Sequence, residues 1–291
     1  MLWSQIAFSQ QSDLNFVNFS SEDGLSSNTV TTILKDKCGY MWFGTDDGLN
    51  KFDGVNFSVY RHRQSDTTSI GANSILAMHE DRSGNLWVGT NATLSLYNRK
   101  KDCFTNYRVT LNNTVRTIFR DHSGKLWIGS YVGLFTFDPQ TGKTTRYNAD
   151  ASKPGQLVSN VITCIIEDSR HRVWIGGNAG LYLYQRSTDD FKYFGHNPAD
   201  PLSLPDNSIK AITEDHNGNL WIGSEDGGLS MLLPDGKGFR TYTHSKTDKQ
   251  TLSSNRILDN NARGPQQLVG WHGGRPEHLR SAKKDIAQSG A

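Results

Sequence analysis

The stretch NTVTTILKDKCGYMWFGTDDGL, residues 28–49, is a phrase that the chain spells again and again. Further copies read NSILAMHEDRSGNLWVGTNATL (73–94), NTVRTIFRDHSGKLWIGSYVGL (113–134), NVITCIIEDSRHRVWIGGNAGL (160–181) and NSIKAITEDHNGNLWIGSEDGGL (207–229). A sixth opens with Asn255, Arg256, Ile257 and Leu258 and then loses the pattern. The period is about 40–50 residues, which among short β-type segments points to propeller blades rather than a helical solenoid.

The second copy shows how one repeat builds one blade. Residues 74–79 have the β-branched and apolar content of a buried strand. Glu80-Asp81-Arg82-Ser83-Gly84 follows as a turn, with Asp accepting backbone N–H bonds and Gly supplying positive φ. Residues 85–90 alternate polar and apolar, residues 94–97 make a third strand and residues 103–107 a fourth. The fold class expected is therefore all-β, a β-propeller of four-stranded antiparallel blades, with about five complete blades and an incomplete ring. Leu14 to Phe19 matches the fourth-strand segment that precedes each later copy, and reads as an orphan outer strand at the N-terminus.

Position in the repeat assigns structural work to the most conspicuous side chains. Trp42, Trp87, Trp127, Trp174 and Trp221 are fillers between adjacent sheets rather than sugar-stacking platforms. Gly44, Gly89, Gly129, Gly176 and Gly223 follow them in register. Asp36, Asp81, Asp121, Asp168 and Asp215 are turn residues first, because an acid repeated in every blade is not a catalyst.

Composition excludes several function classes. With 35% hydrophobic residues, 28 glycines and a net charge of +2, nothing suggests a phosphate-binding surface or a nucleic-acid partner. Cys38, Cys103 and Cys164 fall at non-equivalent places, which gives neither a disulfide framework nor metal-ligand spacing. No cofactor, metal or catalytic residue is expected. Residues 1–10 read as the end of a secretion signal, with Ala7-Phe8-Ser9 in the small-x-small pattern of a cleavage site. Residues 11–259 form the blades. From residue 260 the chain is Gly/Pro/Arg-rich and without strand periodicity, so residues 260–291 read as a disordered, non-native tail. Back-translated one nucleotide later, it yields a blade-like phrase with the acid turn, an LWVGT strand and a GGL loop. An inserted base near codon 260 accounts for this, and His272, Glu277, His278, Lys283 and Lys284 then carry no function.

The phrase N-x-[IV]-x-x-[IL]-x-E-D-x-x-G-x-[LM]-W-[IVF]-G-[TS]-x-x-G-[LI] resembles the two-component regulator propeller repeat. Asn73 to Leu94, Asn113 to Leu134 and Asn207 to Leu229 carry it best, and the resemblance covers roughly residues 12–259. Two departures stand out: Thr93 in place of the loop glycine, and Arg172 at the turn glycine of the fourth copy. The resemblance implies a periplasmic sensor region of hybrid two-component histidine kinases, many of which respond to oligosaccharides. It implies homodimerisation for the full-length parent and a membrane anchor beyond this region. This chain would be a truncated fragment of that plan, lacking the kinase.

On this reading the ligand meets loops between second and third strands and the long inter-blade loops. The candidates there are Asp46, Asp47, Asn91, Tyr131, Asn178, Glu225 and Asp226, together with His62 and Arg63. They differ from copy to copy, as a binding face on a repeating scaffold should. Two alternatives remain open at this point: a protein-interaction scaffold, and a propeller glycoside hydrolase or lyase. The latter needs a positioned carboxylate pair or an arginine cluster, and the sequence singles out neither.

Overall fold

A computed structural model describes residues 18–109, 114–248, 251–263, 267–272 and 275–278. The secretion-signal reading of residues 1–10 and the orphan-strand residues 14–17 lie outside them. Phe19, the last residue of that segment, packs against Phe52 and Phe57 of the first blade at ring-centroid distances of 5.0 and 5.5 Å.

Five four-stranded antiparallel sheets, residues 30–60, 75–107, 117–147, 162–194 and 209–242, are laid down in chain order as blades one to five. In blade two the strands are Ile75–Glu80, Leu86–Thr90, Leu94–Asn98 and Cys103–Tyr107, within a residue or so of the sequence reading. The first strands of successive blades adjoin one another, from Val30–Lys35 of blade one through to Ile209–Glu214 of blade five.

Each indole is buried; four pack on the blade that follows, and Trp221 packs on Leu252 and Ile257 of the crossover after blade five. Trp42 clusters with Ile75, Leu86 and Val88 of blade two; Trp87 with Val115, Ile118 and Leu126 of blade three. Trp127 meets Ile162 and Ile165, and Trp174 meets Ile209 and Ile212. Burying a Trp or Phe in such a seam is worth about 3–5 kcal/mol against alanine. The seam closes only because the residue two after each Trp is glycine. A Cβ on Gly89 would stand 2.6 Å from Val115 Cγ1, and one on Gly129 2.6 Å from Ile162 Cγ2.

The repeated aspartates do more than turn the chain. Asp36 Oδ2 accepts the Trp42 indole N–H at 2.8 Å, and the pattern recurs at Asp81, Asp121, Asp168 and Asp215 at 2.9–3.2 Å. An arginine of the following blade reaches back to three of them: Arg99 to Asp36 (2.7 Å), Arg120 to Asp81 (2.5 Å) and Arg186 to Asp121 (3.2 Å). One carboxylate thus holds a turn, an indole and the neighbouring sheet.

Two readings need correction. The turn-glycine place of the fourth copy belongs to His171, at φ 60°, and not to Arg172, which lies one residue further on. The tail from residue 260 was expected to be disordered, yet Asp259–Arg263, Gln267–His272 and Arg275–His278 pair as a three-stranded antiparallel meander. Its first strand lies beside that of blade five, so backbone pairing in line with the repeat supplies what the side-chain pattern lacks.

Candidate ligand-binding face

Antiparallel strand order decides which loops share an end. The turns with the repeated aspartates, between first and second strands, lie at one end of the blades. The loops between second and third strands, and the crossovers between blades, lie at the other.

A buried hydroxyl stiffens the second-to-third-strand loop of blades one, two, three and five, while blade four has Gly177 in that place. Thr45 Oγ1 donates to the Gly48 carbonyl and accepts from the Asp47 N–H; Ser130 Oγ does the same with Gly133 and Val132. Thr90 repeats the arrangement, and Ser224 donates to Gly228. These hydroxyls explain the Thr/Ser that follows the repeated glycine.

The residue after each of these positions is Asp46, Asn91, Tyr131, Asn178 or Glu225, so five candidates occupy one equivalent place on five blades. Asp46, Asn91, Tyr131 and Asn178 are exposed, and Glu225 is partly buried. Asp47 and Asp226 lie one residue further on. Asp47 is engaged by Arg61 at 3.1 Å, and the Asp226 N–H donates to Asp206.

Three partners of these residues escaped the sequence reading. The first strands of blades one, two, four and five carry a bulge, between Ile209 and Ala211 in blade five. A bulge re-aims the extra side chain, and in blade five that residue is Lys210, ion-paired to Glu225. Arg256 joins the same carboxylate at 2.8 Å. The hydrogen bond from Lys210, opposed by slight burial and aided by both cations, holds the Glu225 carboxyl below its ordinary range. Arg116, at the matching place in blade three, lies 4.6 Å over the Tyr131 ring and donates to its hydroxyl. The signal was available: the residue after the repeated [IV] runs Thr31, Leu76, Arg116, Thr163, Lys210 and Leu258.

His62 holds its crossover together. Its Nδ1 lies 2.9 Å from the Ile70 carbonyl, and its N–H donates to Asn73 Oδ1. His196 with Leu204 and Asn207, and His244 with Leu252 and Asn255, repeat the arrangement. The histidine is a crossover staple. The Arg63 N–H bonds Ser69 Oγ within the same crossover.

Residues 24–47, 69–92, 111–132, 156–179 and 203–226 match the family model described as Two component regulator propeller. The chain belongs to that family. Within it, a 73-residue stretch is 48% identical to Histidine kinase P4 of Formosa agariphila, spanning 24% of this chain and 5% of the kinase. Among solved structures, the extracellular domain of a hybrid two component system from B. thetaiotaomicron is 25% identical, with a TM-score of 0.53. The alignment spans 89% of this propeller chain and 41% of that domain, so the chain corresponds to well under half of its solved relative. Virginiamycin B lyase from Staphylococcus aureus, 13% identical with a TM-score of 0.64 over 92% of this chain and 88% of the lyase, shares the fold alone. Among the described residues no helix is long and apolar enough to cross a membrane.

Proposed function

We propose that this two component regulator propeller is a periplasmic ligand-sensing section of a larger signalling protein, without catalysis of its own and responsive to an oligosaccharide. The observation that carries this is segregation. Side chains that recur in every blade are spent on packing, capping and inter-blade bonds, whereas the place held by Asp46, Asn91, Tyr131, Asn178 and Glu225 changes from blade to blade, on loops that a buried hydroxyl braces in four of the five blades. Amides and carboxylates suit sugar hydroxyls, and the Tyr131 ring, 50% exposed beside Arg116, offers a face for stacking. The likeness to an extracellular domain of a hybrid two component system supports the same reading.

A hydrolase finds less support. Two acids on this face are tied up in ion pairs, Asp47 with Arg61 and Glu225 with Lys210 and Arg256, unlike the free carboxylate pair that a glycosidase sets across a cleft. Calorimetric titration of the purified chain with a panel of oligosaccharides tests the proposal. One class of saccharide should bind without turnover, and Tyr131→Ala should weaken binding by about tenfold, the worth of one stacked ring. Binding indifferent to Tyr131→Ala, or release of a cleaved product, would sink it. A scaffold role is favoured by one separate observation, the exposed apolar face of blade one (Ile33, Val59).

A further inference from the structure

The turn between first and second strands ends on glycine in blades one, two, three and five, but on His171 in blade four, in the left-handed region that strains a side chain. Its imidazole lies beside that of His122, from the matching turn of blade three, with ring centroids 4.1 Å apart. The carboxylate beside both is Glu167, whose side chain is 1% exposed. The His122 N–H donates to Glu167 Oε2 at 2.9 Å, and His122 Nδ1 lies 2.5 Å from Oε1. His171 Nδ1 stands 3.9 Å from Oε2.

The glutamate belongs to the repeat and the histidines do not. Backbone N–H groups of Lys37 and Ser169 hold Glu80 and Glu214 in the same way. The three places hold Lys37, Glu80 and Gly84 between blades one and two, and Arg82, Arg120 and Gly124 between two and three. Between blades four and five they hold Ser169, Glu214 and Gly218. Among the described residues, only at the seam of blades three and four does a prepositioned carboxylate acquire two imidazoles. One ligand atom from each of the three residues lies within 4.8 Å of the others.

Two imidazoles and a carboxylate are the donor set of a first-row divalent cation, zinc foremost. We propose that such a cation binds His122, Glu167 and His171, with water as fourth ligand, and staples blade three to blade four. Two guanidinium groups face the site and must give way. Arg186, 3.1 Å from Glu167 Oε1, retains Asp121 as a partner at 3.2 Å; Arg82, 3.8 Å from Oε2, is 74% exposed and swings into water. Sequence spacing expects no metal here because the ligands come from two different repeats.

The full chain, stripped with EDTA and dialysed, is titrated with zinc chloride by calorimetry, and its Tm is followed against zinc concentration. One saturable site and a Tm that climbs with zinc are expected. His171→Gly restores the turn residue of the other blades, so it should fold in EDTA at least as well as the parent. Its zinc affinity should fall by at least the roughly 10–100-fold that changes in a metal's outer shell already cost. His122→Ala should lose as much. No saturable binding by the parent, or equal binding by the parent and both variants, overturns the proposal; the second outcome would place the ion elsewhere, as on the cysteines.

Discussion

Asp81 shows how much one carboxylate can hold. Its Oδ1 accepts the N–H groups of Ser83 and Asn85, and its Oδ2 accepts from the Asn85 amide, the Trp87 indole and Arg120. Burial alone would raise this carboxyl, but the bonds from Asn85, Arg120 and Trp87 outweigh it and hold it down at about 2. Asp81→Ala leaves an indole N–H unpaired and Arg120 uncompensated, so a loss of about 2–4 kcal/mol is expected in urea unfolding. The sign with pH follows. A depressed carboxyl stabilises fully above its ordinary 3.8 and ceases to do so as pH falls toward 2. His79, pushed down to about 4 chiefly by burial, stabilises fully above 6.5 and loses that contribution as pH falls toward 4. Stability should therefore decline in two steps on acidification; His79→Gln should flatten the upper step and Asp81→Asn the lower. The aspartates and tryptophans were legible from recurrence alone. Their arginines were not, because Arg99, Arg120 and Arg186 do not all occupy one place in the repeat. Recurrence also bears on His62, since His196 and His244 repeat its crossover bonds.

Between strands, the decisive feature is the glycine that lets one blade press on the next. A Cβ on Gly129 would meet Thr117 Cγ2 at 2.5 Å and Ile162 Cγ2 at 2.6 Å, both β-branched and on neighbouring first strands. Overpacking of this kind costs about 1–3 kcal/mol, and that loss is expected for Gly129→Ala in thermal unfolding. Ile162→Ala alone opens a cavity, but combined with Gly129→Ala it makes room for the new methyl. The double variant should be more stable than the sum of the two losses by about 0.5 kcal/mol or more, a double-mutant cycle being the check. Strict additivity would mean that the glycine serves something other than the seam. Strand positions were readable because turn acid, Trp and glycine keep register. The meander after residue 259 was not, since its pairing rests on backbone bonds that leave no period in the side chains.

At the scale of the whole arc, each blade covers the leading face of the blade behind it, and among the described residues no blade covers that of blade one. Ile33, Phe43, Asn50 and Val59 stand opposite one another across four strands, so they share the face turned away from blade two. The matching row of blade three includes Ile118, Ile128 and Phe135, all buried beneath Trp87. Ile33 is 58% exposed and Ile118 6%, although the two are the same residue at the same place in the repeat. Phe19 covers Phe52 and Phe57 on this face and Asn50 is buried, but Ile33 and Val59 stay exposed, and apolar side chains in water on a face shaped to receive a blade favour association. Sedimentation of the purified chain should show concentration-dependent self-association, and Ile33→Lys with Val59→Lys should abolish it while leaving the Tm within about a degree or two, since surface changes cost under about 0.5 kcal/mol. In a stacked array the end units also open first. Amide exchange should thus be faster in blade one than in blade three, by a margin that narrows when association covers the end. A chain that stays monomeric at every concentration, with blades one and three exchanging alike, would mean that Ile33 and Val59 drive no association.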